Sequence, residues 1–267
     1  MLEAISTYKF LQNAVIASLL AGIICGMIGV IITEKKMLML SGGIAHTAYG
    51  GVGLGYLVGF EPIIGAGIFA VLSALIIGKI NRKGGVHTDI IISLLWSAGM
   101  ALGIAFTGLM PGYPPDMNSY LFGNILSVRV TDIYIMLILT AALSLVITLF
   151  FNDWKAFLFD RDFAAISGLN TVFLENLLLI TISLCIVALI RVVGIILVIA
   201  LLSAPAASAK LMAKTLKVRM ILAILFCIFF CITGLAVSYY LGIASGATIV
   251  FTAIIGYFFV CLLKRKN

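Results

Sequence analysis

The chain is 267 residues long, 63% hydrophobic and only 10% charged, with 17 basic and 10 acidic side chains and a net charge of +7. Soluble domains carry about a quarter of their residues as charges, so this composition and a mean hydropathy of +1.27 exclude water as the main solvent. The charges fall between long apolar runs rather than in one patch, so the positive balance is a topology signal and gives no support for nucleic-acid binding.

A hydrocarbon core about 30 Å thick takes roughly 20 apolar residues of helix to cross. In chain order that rule predicts helices near residues 10–33, 38–59, 62–80, 88–108, 131–151, 172–190, 192–209, 220–240 and 246–263. Met1, Leu2 and Glu3 lack the basic start of a cleaved signal peptide, so the first helix is expected to stay as an anchor. Gly22 with Gly26, Gly51 with Gly55 and Gly59, and Gly99 with Gly103 keep the spacing of small residues that lets helix backbones approach in lipid. Arg191 alone separates the sixth and seventh spans, which form a tight hairpin or one bent element, with a count of eight as the alternative. The uncharged run 220–263 must hold two helices. Its break is expected in Tyr239-Tyr240-Leu241-Gly242-Ile243-Ala244-Ser245-Gly246, where interface aromatics meet glycines. A membrane barrel would alternate in segments of about 10 residues instead. The predicted fold is therefore an all-α integral membrane protein, a polytopic bundle of about nine transmembrane helices forming a single domain over residues 1–267.

Lys and Arg next to spans stay in the cytoplasm. With the N-terminus outside, 14 of the 17 basic residues collect on the inner face, and only Lys9, Arg129 and Arg191 remain outside. Two connections exceed what a turn needs. The outer one, residues 109–119, is broken by Pro111, Pro114 and Pro115 and carries Asp116, a candidate for the outer mouth of a pathway. The inner one, residues 152–170, contains Asp160-Arg161-Asp162-Phe163-Ala164-Ala165-Ile166-Ser167-Gly168. It reads as a short amphipathic helix with Asp160 or Asp162 at its positive end and Gly168 able to stop it. Alone, such a helix lies on the membrane surface.

The chain has no phosphate-binding loop, no His-Glu-x-x-His and no Gly-x-Ser-x-Gly, so nothing in it argues for an enzyme. The glycines from Gly50 to Gly55 lie inside a span and follow no strand, so helix packing explains them better than a dinucleotide loop does. Cys25, Cys185, Cys227, Cys231 and Cys261 all fall in spans without a Cys-x-x-Cys pair. Cys227 and Cys231 share a helix face, a spacing open both to helix packing and to a soft metal. The one ionisable side chain deep in a span is His46, roughly 12 Å from the inner end of the second helix. Such a residue marks an ion pathway or makes an interhelical hydrogen bond, and neutral imidazole is a common ligand for transition metals. His87 belongs to a loop and is expected to be solvated.

Several stretches follow one another in a specific order and spacing. They are Ser41-Gly42-Gly43-Ile44-Ala45-His46; Asp89 followed by Ser97 and Gly103; Ser119-Tyr120-Leu121-Phe122-Gly123-Asn124-Ile125-Leu126; Asp162-Phe163-Ala164 with Gly168; Val193-Gly194-Ile195-Ile196-Leu197-Val198 leading to Pro205-Ala206-Ala207; and Ser245-Gly246-Ala247-Thr248-Ile249-Val250. Together they resemble the permease subunits of bacterial and archaeal ABC importers for zinc, manganese and iron(II), over nearly the full chain. The resemblance implies a type II importer permease in the cell membrane, a homodimer in lipid with no covalently bound cofactor. It implies a dimer of cytoplasmic ABC ATPase subunits that hold the ATP, an extracellular solute-binding protein that delivers the metal, and a divalent metal ion as cargo. The match keeps the family's His at His46, so His46 is expected on the metal pathway, with Asp116 as a further contributor at the outer mouth. By the same resemblance Asp160, Asp162, Ala165 and Gly168 belong to a coupling helix docked on the ATPase.

The departures are specific. Gly42, Asn124 and Gly242 stand where the family frequently has Asp, so three hard oxygen donors are missing and the sequence does not select manganese over softer metals. Two other readings stand beside this one. A permease for a siderophore or corrinoid chelate shares the coupling pattern but is usually longer, with ten helices. A transporter working without ATP would need buried acidic residues for ion coupling, and the spans offer few.

The orientation is open to direct measurement. A reporter fused after Lys266 is expected to be active only in the cytoplasm, and activity outside would reverse the assignment of every loop.

Overall fold

A computed structural model of the chain describes residues 6–83, 88–112 and 117–265. Among the described residues run helices α1 (Lys9–Glu34), α2 (Leu38–Val58), α3 (Pro62–Lys83), α4 (Thr88–Gly108), α5 (Asn118–Phe122) and a 3-10 turn (Ile125–Ser127). They are followed by α6 (Val130–Leu149), α7 (Phe151–Phe159), α8 (Arg161–Ile166), α9 (Thr171–Val193), α10 (Ile195–Met212), α11 (Leu216–Leu241) and α12 (Ser245–Arg265). Eight of these are long and apolar enough to cross a membrane. α2 has the length but not the apolarity, because glycines, Ser41, His46, Thr47 and Tyr49 dilute it. It is instead one of the most buried helices, enclosed from Leu40 to Gly55 at nearly every position.

A helix occupies each of the nine expected spans, α11 starting earlier than expected at Leu216, and the other main differences are these. Arg191 does not end a helix; it lies in the last turn of α9, and the break comes at Gly194, whose φ is +82°. α6 stops at Leu149, short of 151, and α7 starts one residue after the break at Phe150. The connection 152–170 is thus largely helical, since Trp154, Phe157 and Leu158 bury one side of α7.

The described chain forms two compact units. The first comprises residues 1–36, 121–146 and 189–267. Here α1 packs on α10 and α11, and α12 packs on both of those. Gly22 and Gly26 of α1 face Ile228 and Ile224 of α11 so closely that a methyl group would overlap them. Ala204, Phe230 and Ala253 pack together under Phe226 and Tyr257. At one end Glu34 pairs with Arg219 at 2.5 Å and Lys210 at 3.4 Å, and Lys264 donates to the Leu211 carbonyl. The other end of α1 is marked by Asn13, which donates to the Val128 carbonyl at 3.3 Å. Near it Arg191 Nε approaches the buried Asp132 Oδ1 to 2.7 Å, a charge pairing rather than a directed hydrogen bond.

The second unit comprises residues 37–120 and 147–188, and in it α2 packs on α3 and on α4. α3 and α9 run antiparallel. Ser183 donates to the Ala70 carbonyl, Leu179 lies on Gly78, and Arg82 meets Glu175.

One crossing in the first unit leaves no room for a side chain. Gly123 (φ +66°) and Gly194 (φ +82°) lie back to back, and a Cβ on Gly123 would land on the Val193 carbonyl while one on Gly194 would land on the Gly123 amide. Left-handed backbone alone costs other residues about 1–3 kcal/mol, and here overlap is added. Gly194→Ala is therefore expected to lower the thermal unfolding midpoint in detergent. Gly67→Ala, in a helix with nothing within 4 Å of the added methyl, should leave it unchanged or raise it.

Candidate functional site

His46 sits midway along α2, on a segment whose neighbours are chosen for close approach. Gly43, Gly50 and Gly53 meet Ile92, Gly99 and Gly103 of α4 in rising order, so the two helices run parallel with their backbones nearly touching. Thr47 fixes the register: its hydroxyl donates to the Gly43 carbonyl at 2.7 Å and reaches the Leu95 carbonyl at 3.2 Å. The next residue back, His46, is thereby presented beside Trp96. The two rings stack with centroids 3.8 Å apart and planes within 18°.

The hydrogen bond of the imidazole stays within its own helix, Nδ1 to the Gly42 carbonyl at 2.9 Å. A carbonyl can only accept, so Nδ1 carries the proton, and in the neutral ring Nε2 keeps a lone pair. The imidazole is half-buried, held by a backbone bond on one nitrogen and an aromatic face on one side. That is how metal-ligating histidines are oriented. The ring makes one neutral nitrogen donor, suited to weak and reversible binding of a transition metal.

No group of three His, Cys, Asp or Glu side chains that could hold a metal occurs among the described residues. Asp116 and His87 lie outside them. Cys227 and Cys231 are fully buried, as is Cys25 of α1, and α1 and α11 pack closely, so they serve as packing positions between the two helices. The three positions that depart from the family pattern have local duties. Gly42 supplies the carbonyl that orients His46; Asn124 caps the 3-10 turn through the Leu126 amide at 3.1 Å; Gly242 ends α11 in the left-handed conformation, with φ +66°. A cavity of 210 Å³ beside Thr47 is lined by Phe69, Leu72, Ile76, Leu95 and Leu102 and offers almost no polar surface to an ion.

The second group of sequence candidates converges on α8. Asp160 is its N-cap and accepts from the Asp162 and Phe163 amides at 3.0 and 2.9 Å, and Asp162 lies in the first turn. Gly168 closes the helix at φ +84°, with the Leu169 amide donating back to the Ala164 carbonyl at 3.0 Å. Ala164 is fully buried and holds the helix to the unit, whereas Ala165 points outward. Phe163 and Ile166, 60% and 87% exposed, stand out from the same six-residue helix. Neither is legible as a docking residue in the sequence, because apolar residues in a membrane protein carry no signal of their own.

Trp96 was missed as well, since stacking between residues 50 positions apart leaves no trace in spacing. Tyr56 and Tyr120, whose hydroxyls lie 3.3 Å apart, were missed for the same reason.

Residues 7–264 match the ABC 3 transport family. The chain is 40% identical over 258 residues to the membrane protein slr2045 of Synechocystis sp., covering 97% of this chain and 92% of that protein. It is 36% identical to MntC, the membrane protein of a manganese transport system of Listeria monocytogenes, covering 100% and 95% of the two chains. Among solved structures it is similar to PsaBC from Streptococcus pneumoniae in complex with Fab, with a TM-score of 0.88 and 33% identity over 100% of this chain and 98% of that one.

Proposed function

The chain belongs to the ABC 3 transport family, and on that premise we propose that it is the permease of an ATP-driven importer that carries manganese into the cytoplasm. The observation that carries this reading is the match to a manganese transport membrane protein over the whole chain. What supports it locally is the half-buried imidazole of His46 with Nε2 left as a donor. Manganese is the weakest binder of the divalent first-row series. A transport site has to release its cargo, so one nitrogen and passing oxygen donors suffice where a storage site would need a cage. A chelate permease is disfavoured because the manganese system aligns along the full chain at 36% identity.

In this reading the N-terminus lies outside, the C-terminus inside, and residues 1–267 act as one permease that pairs with a second copy. An extracellular solute-binding protein delivers the ion, Asp116 lies near its entry, and a separate ABC ATPase supplies the energy. α8 is the docking element. Asp160 and Gly168 fix its two ends, Asp162 and Ala165 lie on its outer face, and Phe163 with Ile166 supplies apolar surface for a partner's cleft.

Uptake of manganese into vesicles holding the full transporter tests the site. His46→Gln keeps a hydrogen-bond donor for the Gly42 carbonyl but is a poor ligand, so transport should fall at least about tenfold while the protein stays folded. Wild-type uptake of manganese, zinc and iron(II) by that variant would return His46 to a purely structural role.

The docking element has its own test. Ala165 is exposed, so Ala165→Arg should leave the fold intact and the protein in the membrane, yet ATP hydrolysis should continue without transport. Normal transport in that variant, with no crosslink from a cysteine at position 165 to any ATPase, would remove α8 from the interface.

A further inference from the structure

α8 is tied to the rest of its unit at both ends, and the two ties differ. Its C-terminal end is closed by the capped turn at Gly168 and continues through Asn170, whose side chain accepts from the Phe173 amide at 3.0 Å to start α9. Its first residue, Arg161, instead reaches across to Glu175 in the first turns of α9, Nη2 to Oε2 at 3.1 Å. The same oxygen receives Arg82 Nη1 from the end of α3 at 3.4 Å, and Arg82 also donates to Asn176 Oδ1 at 3.0 Å. Glu175 is only 7% exposed. One enclosed carboxylate therefore joins the docking helix to two long helices that already run side by side through Ala70 with Ser183 and Gly78 with Leu179.

We infer that Glu175 is a positioning residue for energy coupling, the joint through which a displacement of α8 is passed to α9 and α3. This rests on the reading of α8 as the ATPase docking element. The arrangement is suited to that task because an ion pair holds two elements together at a distance that apolar packing in lipid does not set. The charge count makes the joint depend on the carboxylate: without it two guanidinium groups face each other across the gap it fills. From α3 the connection continues to the helix that carries His46, since Gly65 and Gly51 bring α3 and α2 into backbone contact.

The test uses the complete transporter, purified with its ATPase from native membranes and reconstituted in proteoliposomes, with manganese as the probe. The quantity read is ATP hydrolysed per ion imported. Glu175→Gln and Arg161→Ala should each raise that ratio by about fivefold or more, the lower bound of typical coupling between sites, with ATPase co-purification unchanged. Arg161→Lys, which keeps the charge, should hold the ratio close to wild type. Arg161 is 40% exposed on its side chain, so its alanine variant decides the matter even where Glu175→Gln fails to fold. An unchanged ratio in Arg161→Ala overturns the inference while leaving the docking reading in place. A wild-type chain that retains no ATPase overturns the docking reading and the inference with it.

Discussion

In a bilayer the lipid chains are as apolar as the helices, so apolar side chains gain little by leaving lipid for one another. Helices associate where their backbones come close enough for dispersion and polar contacts to act. That constraint governs both units. Gly22 and Gly26 bring α1 onto α11, Gly234 brings α11 onto Ile249 of α12, and Gly51, Gly99 and Gly103 bring α2 against α3 and α4. The candidate ion site depends on it directly. Thr47 reaches a carbonyl of α4, and His46 lies against Trp96, only because no side chain separates those backbones.

Charged groups are arranged to respect the same solvent. Carboxylates that enter the protein are met by guanidinium groups: Glu34 by Arg219, Asp132 by Arg191, Glu175 by Arg82 and Arg161. Burying one partner without the other would be costly, so these pairs act as clamps at helix ends, where the chain turns. In the first unit they stand at opposite ends of α1, with Arg219 and Lys210 around Glu34 at one end. Hydroxyls within spans are handled more locally. Ser18, Thr140, Thr181, Ser203 and Ser208 donate to carbonyls of their own helices and need no partner elsewhere.

An imidazole held by one backbone bond and one aromatic face is a modest ligand, and transport asks for no more. Tight binding by several carboxylates would slow release. The positions that lack Asp relative to the family pattern, Gly42, Asn124 and Gly242, here supply a carbonyl, a turn cap and a left-handed helix end. The function that follows is passage of a metal ion, as befits a member of the ABC 3 transport family; the short exposed helix α8 is the proposed point at which energy reaches the chain.

The sequence by itself determined the class of fold, the approximate spans and the helix over Asp160 to Gly168. Each of these is set by rules that act within one stretch of chain: the apolar length needed to cross lipid, a carboxylate at a helix start, a glycine at its end. It also singled out His46, because an ionisable residue inside an apolar run is visible without any neighbour. Only the tertiary structure decided that Gly194, not Arg191, separates α9 from α10, since the need for glycine there comes from the Gly123 backbone lying against it. It alone decided that Trp96 backs the imidazole and that Glu175 joins Arg82 to Arg161. Contacts across such separations are fixed by which helix faces meet, and that choice follows from packing the whole unit rather than from any local pattern of residues.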